Sequence, residues 1–183
     1  MKHILLLILL PTLLLIPGCV FVSEDYIAPA TYDFARPEAE SSVAVNRIKV
    51  RNISGADRRF LYRSSNNLVK SDEYNRWLLE PELLIERALC EVFGKRSCDG
   101  IEAACRIQVF EFDLVRKVSR LKLEVRFSHG TSSCEYTKTW ETSFDAKRSS
   151  SAAESMNKTV SKALADIVQE CEKFSARLKG DKK

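Results

Sequence analysis

Apolar and polar side chains alternate in short runs from residue 43 onward, which is the pattern of β-strands that bury one face. The clearest run places Leu121, Leu123, Val125 and Phe127 on one face, with charged or hydroxyl residues between them. The runs predict strands near residues 43–50, 60–64, 68–70, 105–114, 121–128 and 134–144. Within 105–114 the apolar phase changes face at residues 109 and 110, which predicts a β-bulge or burial on both faces.

Two stretches have the 3.6-residue period of amphipathic helices. The first follows Trp77: Pro81 suits a first helical turn, an apolar stripe extends over residues 84–93, and Gly94 ends it. The second begins at a capping-box sequence, residues 151–154, and carries a continuous apolar stripe from Met156 to Leu178. With the strands, these helices predict an α+β fold, a mostly antiparallel sheet with two amphipathic helices packed on one face.

The first nineteen residues have the pattern of an export signal. A short basic start precedes an apolar run over residues 4–16 that is too short to span a bilayer, and Gly18 stands directly before Cys19. A small residue followed at once by cysteine is typical of a bacterial lipobox, which predicts cleavage before Cys19, a diacylglyceryl group on its thiol and acylation of its amine. The alternatives are an ordinary signal peptide with a chance cysteine, or a membrane anchor.

These patterns divide the chain into four parts. We predict a lipoprotein signal peptide over 1–18, a lipidated N-terminus and flexible tether over 19–42, a single α+β periplasmic domain over 43–178, and a polar tail over 179–183. The tether prediction depends on Pro29, Pro37, a polar run at 38–42 and the absence of a helical or strand period over residues 20–42. The formal net charge of +4 is spread along the chain, so it indicates a solvated surface and no nucleic-acid partner.

The cysteines other than Cys19 fit an oxidising compartment and form no CxxC pair; they are Cys90, Cys98, Cys105, Cys134 and Cys171. With only two histidines in the chain, this spacing does not predict a metal site. Cys98 with Cys105, and Cys90 with Cys171, are candidate disulfides, although sequence does not fix connectivity.

Catalytic motifs are not found in the sequence. It has no Gly-rich phosphate loop and no nucleophile elbow. A catalytic thiol would need a base, for which His129 near Cys134 is the one candidate after the signal peptide. We therefore expect no enzyme and no cofactor other than the covalent lipid on Cys19.

A series of short motifs resembles a known family. The chain reads Tyr62-Arg63-Ser64 in a strand, then Trp77 and Pro81 at the entry to a helix, then Phe110-Glu111 in a later strand. In this order, after a lipobox, they resemble the ABC-type transport auxiliary lipoproteins, the PqiC/YmbA-like family. The resemblance covers about residues 43–178. Tyr62, Arg63, Ser64, Trp77 and Pro81 are thus candidates for partner binding, with bracing of the fold as the alternative for the aromatic and guanidinium groups.

The resemblance implies a non-catalytic function in lipid transport. Members are associated with Mce/MlaD-type systems, so the expected partners are an Mce-domain protein, ABC transporter components and the membrane through the lipid anchor; a homo-oligomer is compatible with this. Val20 after Cys19 agrees with sorting to the outer membrane. Two alternatives remain, an envelope assembly or scaffold lipoprotein and a lipid-binding carrier that would need an apolar pocket between helices and sheet.

Overall fold

The computed structural model describes residues 27–94 and 100–180. The predictions for the signal peptide, Cys19 and Cys98 lie outside these residues. Seven strands and two helices follow one another in the described chain: β1 (Ala30–Tyr32), β2 (Val45–Asn52), β3 (Arg59–Ser65), β4 (Leu68–Trp77), α1 (Pro81–Phe93), β5 (Ile101–Asp113), β6 (Val118–His129), β7 (Ser132–Ser143) and α2 (Ser149–Gly180).

All seven strands form one sheet, with the order β1-β4-β3-β5-β6-β7 and β2 paired to β5. β6 pairs along nearly the whole of β5, so β2 and β3 share the opposite side of that strand. There β2 pairs with residues 101–107 and β3 with residues 112–113. The long pairings β3–β4, β5–β6 and β6–β7 are antiparallel. The predicted α+β class with a mostly antiparallel sheet is confirmed.

The change of face in β5 occurs at a β-bulge, one of the two alternatives that the sequence predicts. The register with β6 shifts between Ile107 and Val109, which lets Ile107 and Phe110 both point into the core. After the bulge, Phe110 and Phe112 face inward, while Glu111 and Asp113 face outward.

Both helices lie on one face of the sheet and bury their apolar stripes there. α1 has Pro81 in its first turn, and Gly94 closes it with φ +36° while its N–H donates to the Cys90 carbonyl. α2 packs on β6 and β7. It begins two residues before the predicted capping box: Ser151 lies inside the helix, and its Oγ accepts a hydrogen bond from the Asp145 N–H. The helix also continues through Gly180, into the predicted polar tail.

The predicted flexible tether is wrong from residue 30 onward. β1 pairs in parallel with β4, and the Phe34 ring lies 5.3 Å from Trp77. Beyond it, the Ser41 N–H donates to the Val92 carbonyl and Asp33 forms an ion pair with Arg87. Tyr32, Phe34 and Ala39 are only partly buried against the core, so the alternation in this segment is short and weak. The folded unit therefore includes the residues from about 30 onward.

β4 is longer than predicted because its polar residues still pair with β3. The strand extends to Trp77, and its register shifts between Arg59 and Leu61 of β3. In this irregular stretch the Asp72 carboxylate accepts hydrogen bonds from the N–H groups of Tyr74 and Asn75. No helix of the described ranges is long and apolar enough to cross a membrane.

Candidate functional site

The motif residues meet at the junction of β3, β4 and β5, where they occupy both faces of the sheet. The inner face holds an aromatic cluster of eight side chains: Tyr32, Phe34, Phe60, Tyr62, Trp77, Phe110, Phe112 and Phe144. Trp77 lies at its centre, with ring centroids 4.7 Å from Phe60 and 5.6 Å from Phe110, and it is fully buried. Trp77 is therefore a structural residue, because it has no surface with which to contact a partner.

Tyr62 belongs to the rim of this aromatic cluster. Its ring lies 5.4 Å from Phe112 and 6.4 Å from Phe60, and the side chain is half-buried. Burial, together with the charge of Asp72, raises the pKa of the Tyr62 hydroxyl well above its usual value of 10.0. Tyr62 therefore stays neutral at physiological pH, which suits packing and hydrogen bonding.

The outer face carries a charge network of six side chains: Arg63, Glu111, Asp113, Arg116, Arg120 and Glu141. Arg63 donates two hydrogen bonds to Glu111, from Nε to Oε1 at 2.7 Å and from Nη2 to Oε2 at 2.8 Å. The Glu111 side chain is only 7% exposed. A two-pronged contact to a buried carboxylate is the strong form of an ion pair. Its hydrogen bond to Glu111 raises the pKa of Arg63 further.

The network continues across β6 to β7. Arg120 Nη1 donates to Glu111 Oε1 at 3.0 Å, and Arg120 Nε lies 3.3 Å from Glu141 Oε1. Arg116 closes the series with two bonds of 2.6 Å to Glu141. The network thus links β3, β5, β6 and β7, and its three cations balance its three anions. Because the charges are matched internally, its geometry fits a brace better than a binding site for a small ion.

The other two motif residues have local structural roles. Ser64 Oγ donates to the Leu68 carbonyl at 3.4 Å and so supports the β3–β4 turn. Pro81 is buried at the first turn of α1. The motif Tyr62-Arg63-Ser64 therefore alternates between faces, and Arg63 is the member that reaches the outer surface.

The described residues contain no disulfide. Cys105 and Cys171 are free thiols buried in the core, so Cys90 and Cys171 are not joined in this structure, and the predicted Cys98–Cys105 pairing involves a residue outside the described ranges. The reason is orientation, because Cys171 faces the sheet whereas Cys90 lines a surface pocket. Burial, with the charges of Glu124 and Glu172 respectively, raises the pKa of each thiol to about 12.

Cys134, the thiol considered for catalysis, lies on the edge strand β7. Cys134 on β7 has its Sγ 3.2 Å from Arg177 Nη2 of α2. Its proposed base, His129, ends β6 on the adjacent strand. Within residues 27–94 and 100–180, no group of three or more His, Cys, Asp or Glu side chains is placed to hold a metal ion.

Two surface pockets, each of about 450–460 Å³, flank α1. The first lies between α1 and β2, and charged or polar residues line much of it, among them Arg47, Glu86 and Glu102. The second lies under residues 33–37 beside Arg87 and Glu91. Neither is the apolar chamber that a lipid carrier needs, since the described space between helices and sheet is filled by core side chains.

Sequence reasoning missed Arg116, Arg120 and Glu141. The alternation in β6 shows that Arg120 points outward, but only strand register brings it beside Glu111 and Glu141. Arg120 pairs across from Glu111 on one side and from Glu141 on the other. The sequence signal that could have indicated these ion pairs is the presence of opposite charges at outward positions of neighbouring strands.

The fold is similar to that of two solved structures. One is protein XCC0632 from Xanthomonas campestris, described with the family-model DUF330: the TM-score is 0.70 at 11% identity, covering 84% of this chain and 100% of that one. The other is described as an uncharacterized protein, with a TM-score of 0.68 at 10% identity over 78% of this chain and 98% of that one. No family model and no curated protein matches the sequence. DUF330 is the PqiC/YmbA-like family, so this chain has the fold of a protein of the family that its motifs resemble.

Proposed function

We propose that this protein is an outer-membrane-anchored auxiliary lipoprotein of an Mce/MlaD-type ABC lipid transport system, and that it acts by binding partner components without catalysis. The observation that carries the proposal is the likeness of fold to a DUF330 protein over 100% of that chain. The lipobox at Cys19 and the order of the Tyr62-Arg63, Trp77–Pro81 and Phe110-Glu111 motifs support it independently.

The geometry of the motif residues supports a binding role because it makes the β3–β5 junction rigid. The aromatic cluster and the charge network lock β3 to β5 on both faces, so the outer surface of this junction is held in one shape. A preorganised surface loses little conformational entropy on binding, which favours association with a partner.

The proposed anchor acts at short range. Two or three acyl chains on Cys19 would give durable attachment, at roughly 0.8 kcal/mol per buried methylene. Since the chain is packed from Ala30 onward, at most eleven residue steps separate Cys19 from the packed residues, fewer than the tether that the sequence predicts.

Of the two alternatives, an envelope scaffold lipoprotein is supported by the same features, because it needs the same anchor and the same rigid surface. The carrier reading lacks support, because core side chains such as Met156, Leu164 and Ile167 fill the described interior. A lipid carrier would need part of this volume to be empty.

The test is affinity purification of the lipidated, full-length protein from envelope extracts in mild detergent. We expect Mce-domain and ABC transporter components to co-purify, and the Cys19→Ala variant, which lacks the lipid, to recover less of them. Recovery of an outer-membrane assembly protein in their place would favour the scaffold alternative. Recovery of neither transporter component would contradict the proposal.

A further inference from the structure

Two neighbouring hairpins expose aliphatic side chains to solvent at one end of the sheet. In the β3–β4 hairpin Leu68 is 47% exposed and Val69 39% exposed, and Val115 in the β5–β6 turn is 68% exposed. Tight turns normally carry polar residues, Gly or Pro, so the exposed Val115 is unusual at its position. We call this surface, made of Leu68, Val69 and Val115, the apolar end.

The strand register places these three residues at the same end of the sheet. Arg63 pairs with Val69 on one side and with Asp113 on the other, two residues before Val115. The Leu114 N–H also donates to the Arg63 carbonyl at 2.9 Å, which fastens the second turn to β3. Because adjacent strands lie about 4.8 Å apart, β4 and β5 are separated by about 10 Å here.

Lysines flank the apolar end. Lys70 follows Val69 in β4, Lys117 lies in the same turn as Val115, and both are exposed. Neither lysine has an ion-pair partner among the described residues, whereas nearby Arg116 is held by Glu141. The exposed anion Glu73 lies further along β4. Aliphatic tips beside unpaired lysines are the composition that binds a membrane interface.

The path of the N-terminal chain leads toward the same end. β1 is parallel to β4, with Ala30 opposite Asn75 and Tyr32 opposite Trp77. Followed backward from Ala30, the chain therefore points in the direction of Leu68. Eight residue steps separate Ile27 from Cys19, and eight fully extended residues reach at most about 28 Å. The lipid on Cys19 would hold the domain within that distance of the bilayer.

We propose that the apolar end is the membrane-contacting surface of the lipidated protein. Leu68, Val69 and Val115 enter the headgroup region, and Lys70 and Lys117 bind anionic headgroups. β6 then stands with its Val118 end at the membrane and its His129 end away from it. This orientation rests on the lipidation of Cys19 in the proposed function, but not on the identity of the transport partners.

The two ends of β6 give a matched experiment. Val115→Trp places a reporter in the turn before β6, and Thr131→Trp places one in the turn after it, about 40 Å away along a twelve-residue strand. The native Trp77 and Trp140 are buried and give a constant background. Full-length lipidated protein, with the lipid confirmed by mass spectrometry, is inserted into vesicles of phosphatidylethanolamine and phosphatidylglycerol that contain brominated acyl chains.

We expect the bromines to quench Val115→Trp fluorescence and to leave Thr131→Trp unquenched. Adding Lys117→Glu to Val115→Trp should shift the orientation equilibrium by about fivefold or more, since each lysine near an anionic surface contributes about 1 kcal/mol. Equal quenching of the two reporters, or quenching of Thr131→Trp alone, would overturn the proposal. A Val115→Trp signal that depends on protein concentration and not on bromine would also overturn it and would identify a second copy as the occupant.

The vesicles contain no transport components, so the orientation is measured independently of the proposed function. Failure to co-purify Mce-domain or ABC proteins, with the quenching difference intact, would remove the transport role and leave the membrane-contacting surface standing.

Discussion

At the β3–β5 junction, aromatic packing stabilises one face of the sheet and ion pairs stabilise the other, although the residues of the two faces alternate along the same strands. On the inner face, Tyr62, Phe110 and Phe112 pack in the aromatic cluster. On the outer face, Arg63 and Glu111 form the charge network. Burial of large rings is non-directional and contributes in proportion to area, whereas a charge network depends on each partner being present. One motif can therefore fix both the stability of the fold and the shape of its surface.

Trp77→Ala should have the largest effect and tests the inner face. We expect a loss of about 4 kcal/mol in the free energy of unfolding, because the substitution removes a fully buried indole from the centre of the aromatic cluster. Trp77→Phe is the control, with a smaller loss, since a ring remains to fill most of the site. Urea denaturation followed by circular dichroism measures both. A Trp77→Ala variant as stable as the parent would show that the cluster is not the main source of stability at this junction.

Arg63→Met should have the next largest effect and tests the outer face. We expect a loss of about 2 kcal/mol, because the substitution leaves the Glu111 carboxylate buried with only Arg120 as partner. Arg59→Met on the same strand is the matched control: its ion pair with Asp57 is exposed, so little or no change is expected.

A double-mutant cycle isolates the pair itself. Combining Arg63→Met with Glu111→Gln should show a coupling of about 1–2 kcal/mol, since each single substitution strands the other partner. If the two losses simply add, Arg63 acts on stability through packing of its aliphatic chain and the charge network is incidental.

The smallest effect is expected at the edge of the inner face, where Asp166 accepts hydrogen bonds from Lys138 Nζ and Trp140 Nε1. These bonds lower the pKa of Asp166 below its usual value of 3.8. The carboxylate therefore contributes stability that is fully present above pH 3.8 and is lost as the pH falls through its lower, folded-state pKa.

Asp166→Asn should accordingly be less stable than the parent at pH 7, and the difference should shrink on acidification below pH 4. Trp140→Phe removes one of the two donors and should reduce the same pH-dependent difference without abolishing it. Denaturation midpoints measured from pH 7 to pH 2.5 give both results. A difference that stays constant over this range would rule out titration of Asp166 as its source.

The regular elements could be predicted from sequence because their period is visible in the local order of apolar and polar residues. The alternation in β6 and the helix α1 between Pro81 and Gly94 followed directly from the apolar pattern, and the change of face in β5 indicated either the observed bulge or burial on both faces. The start of α2 was misplaced because a capping-box sequence also occurs inside its first turn, where Ser151 accepts its hydrogen bond from the preceding loop.

The site could be predicted only in part, because it depends on strand register. Arg63 and Glu111 could be singled out by the family resemblance, but their contact requires β3 to lie parallel to the end of β5, 48 residues away in sequence. The packed N-terminal segment was missed for a related reason. Tyr32 and Phe34 belong to an alternating run too short to predict a strand, and the rings that they pack against come from three other strands.

The parallel pairing of β1 with β4 also determines how the protein bears mechanical load. A pull on the chain at Ile27, directed along β1, stresses the backbone hydrogen bonds of the three paired residues together in shear and does not open them one at a time. Phe34, wedged against Trp77, lies directly behind them and resists the same displacement. Tension arriving from the N-terminal side would thus be passed through β4 into the sheet as a whole.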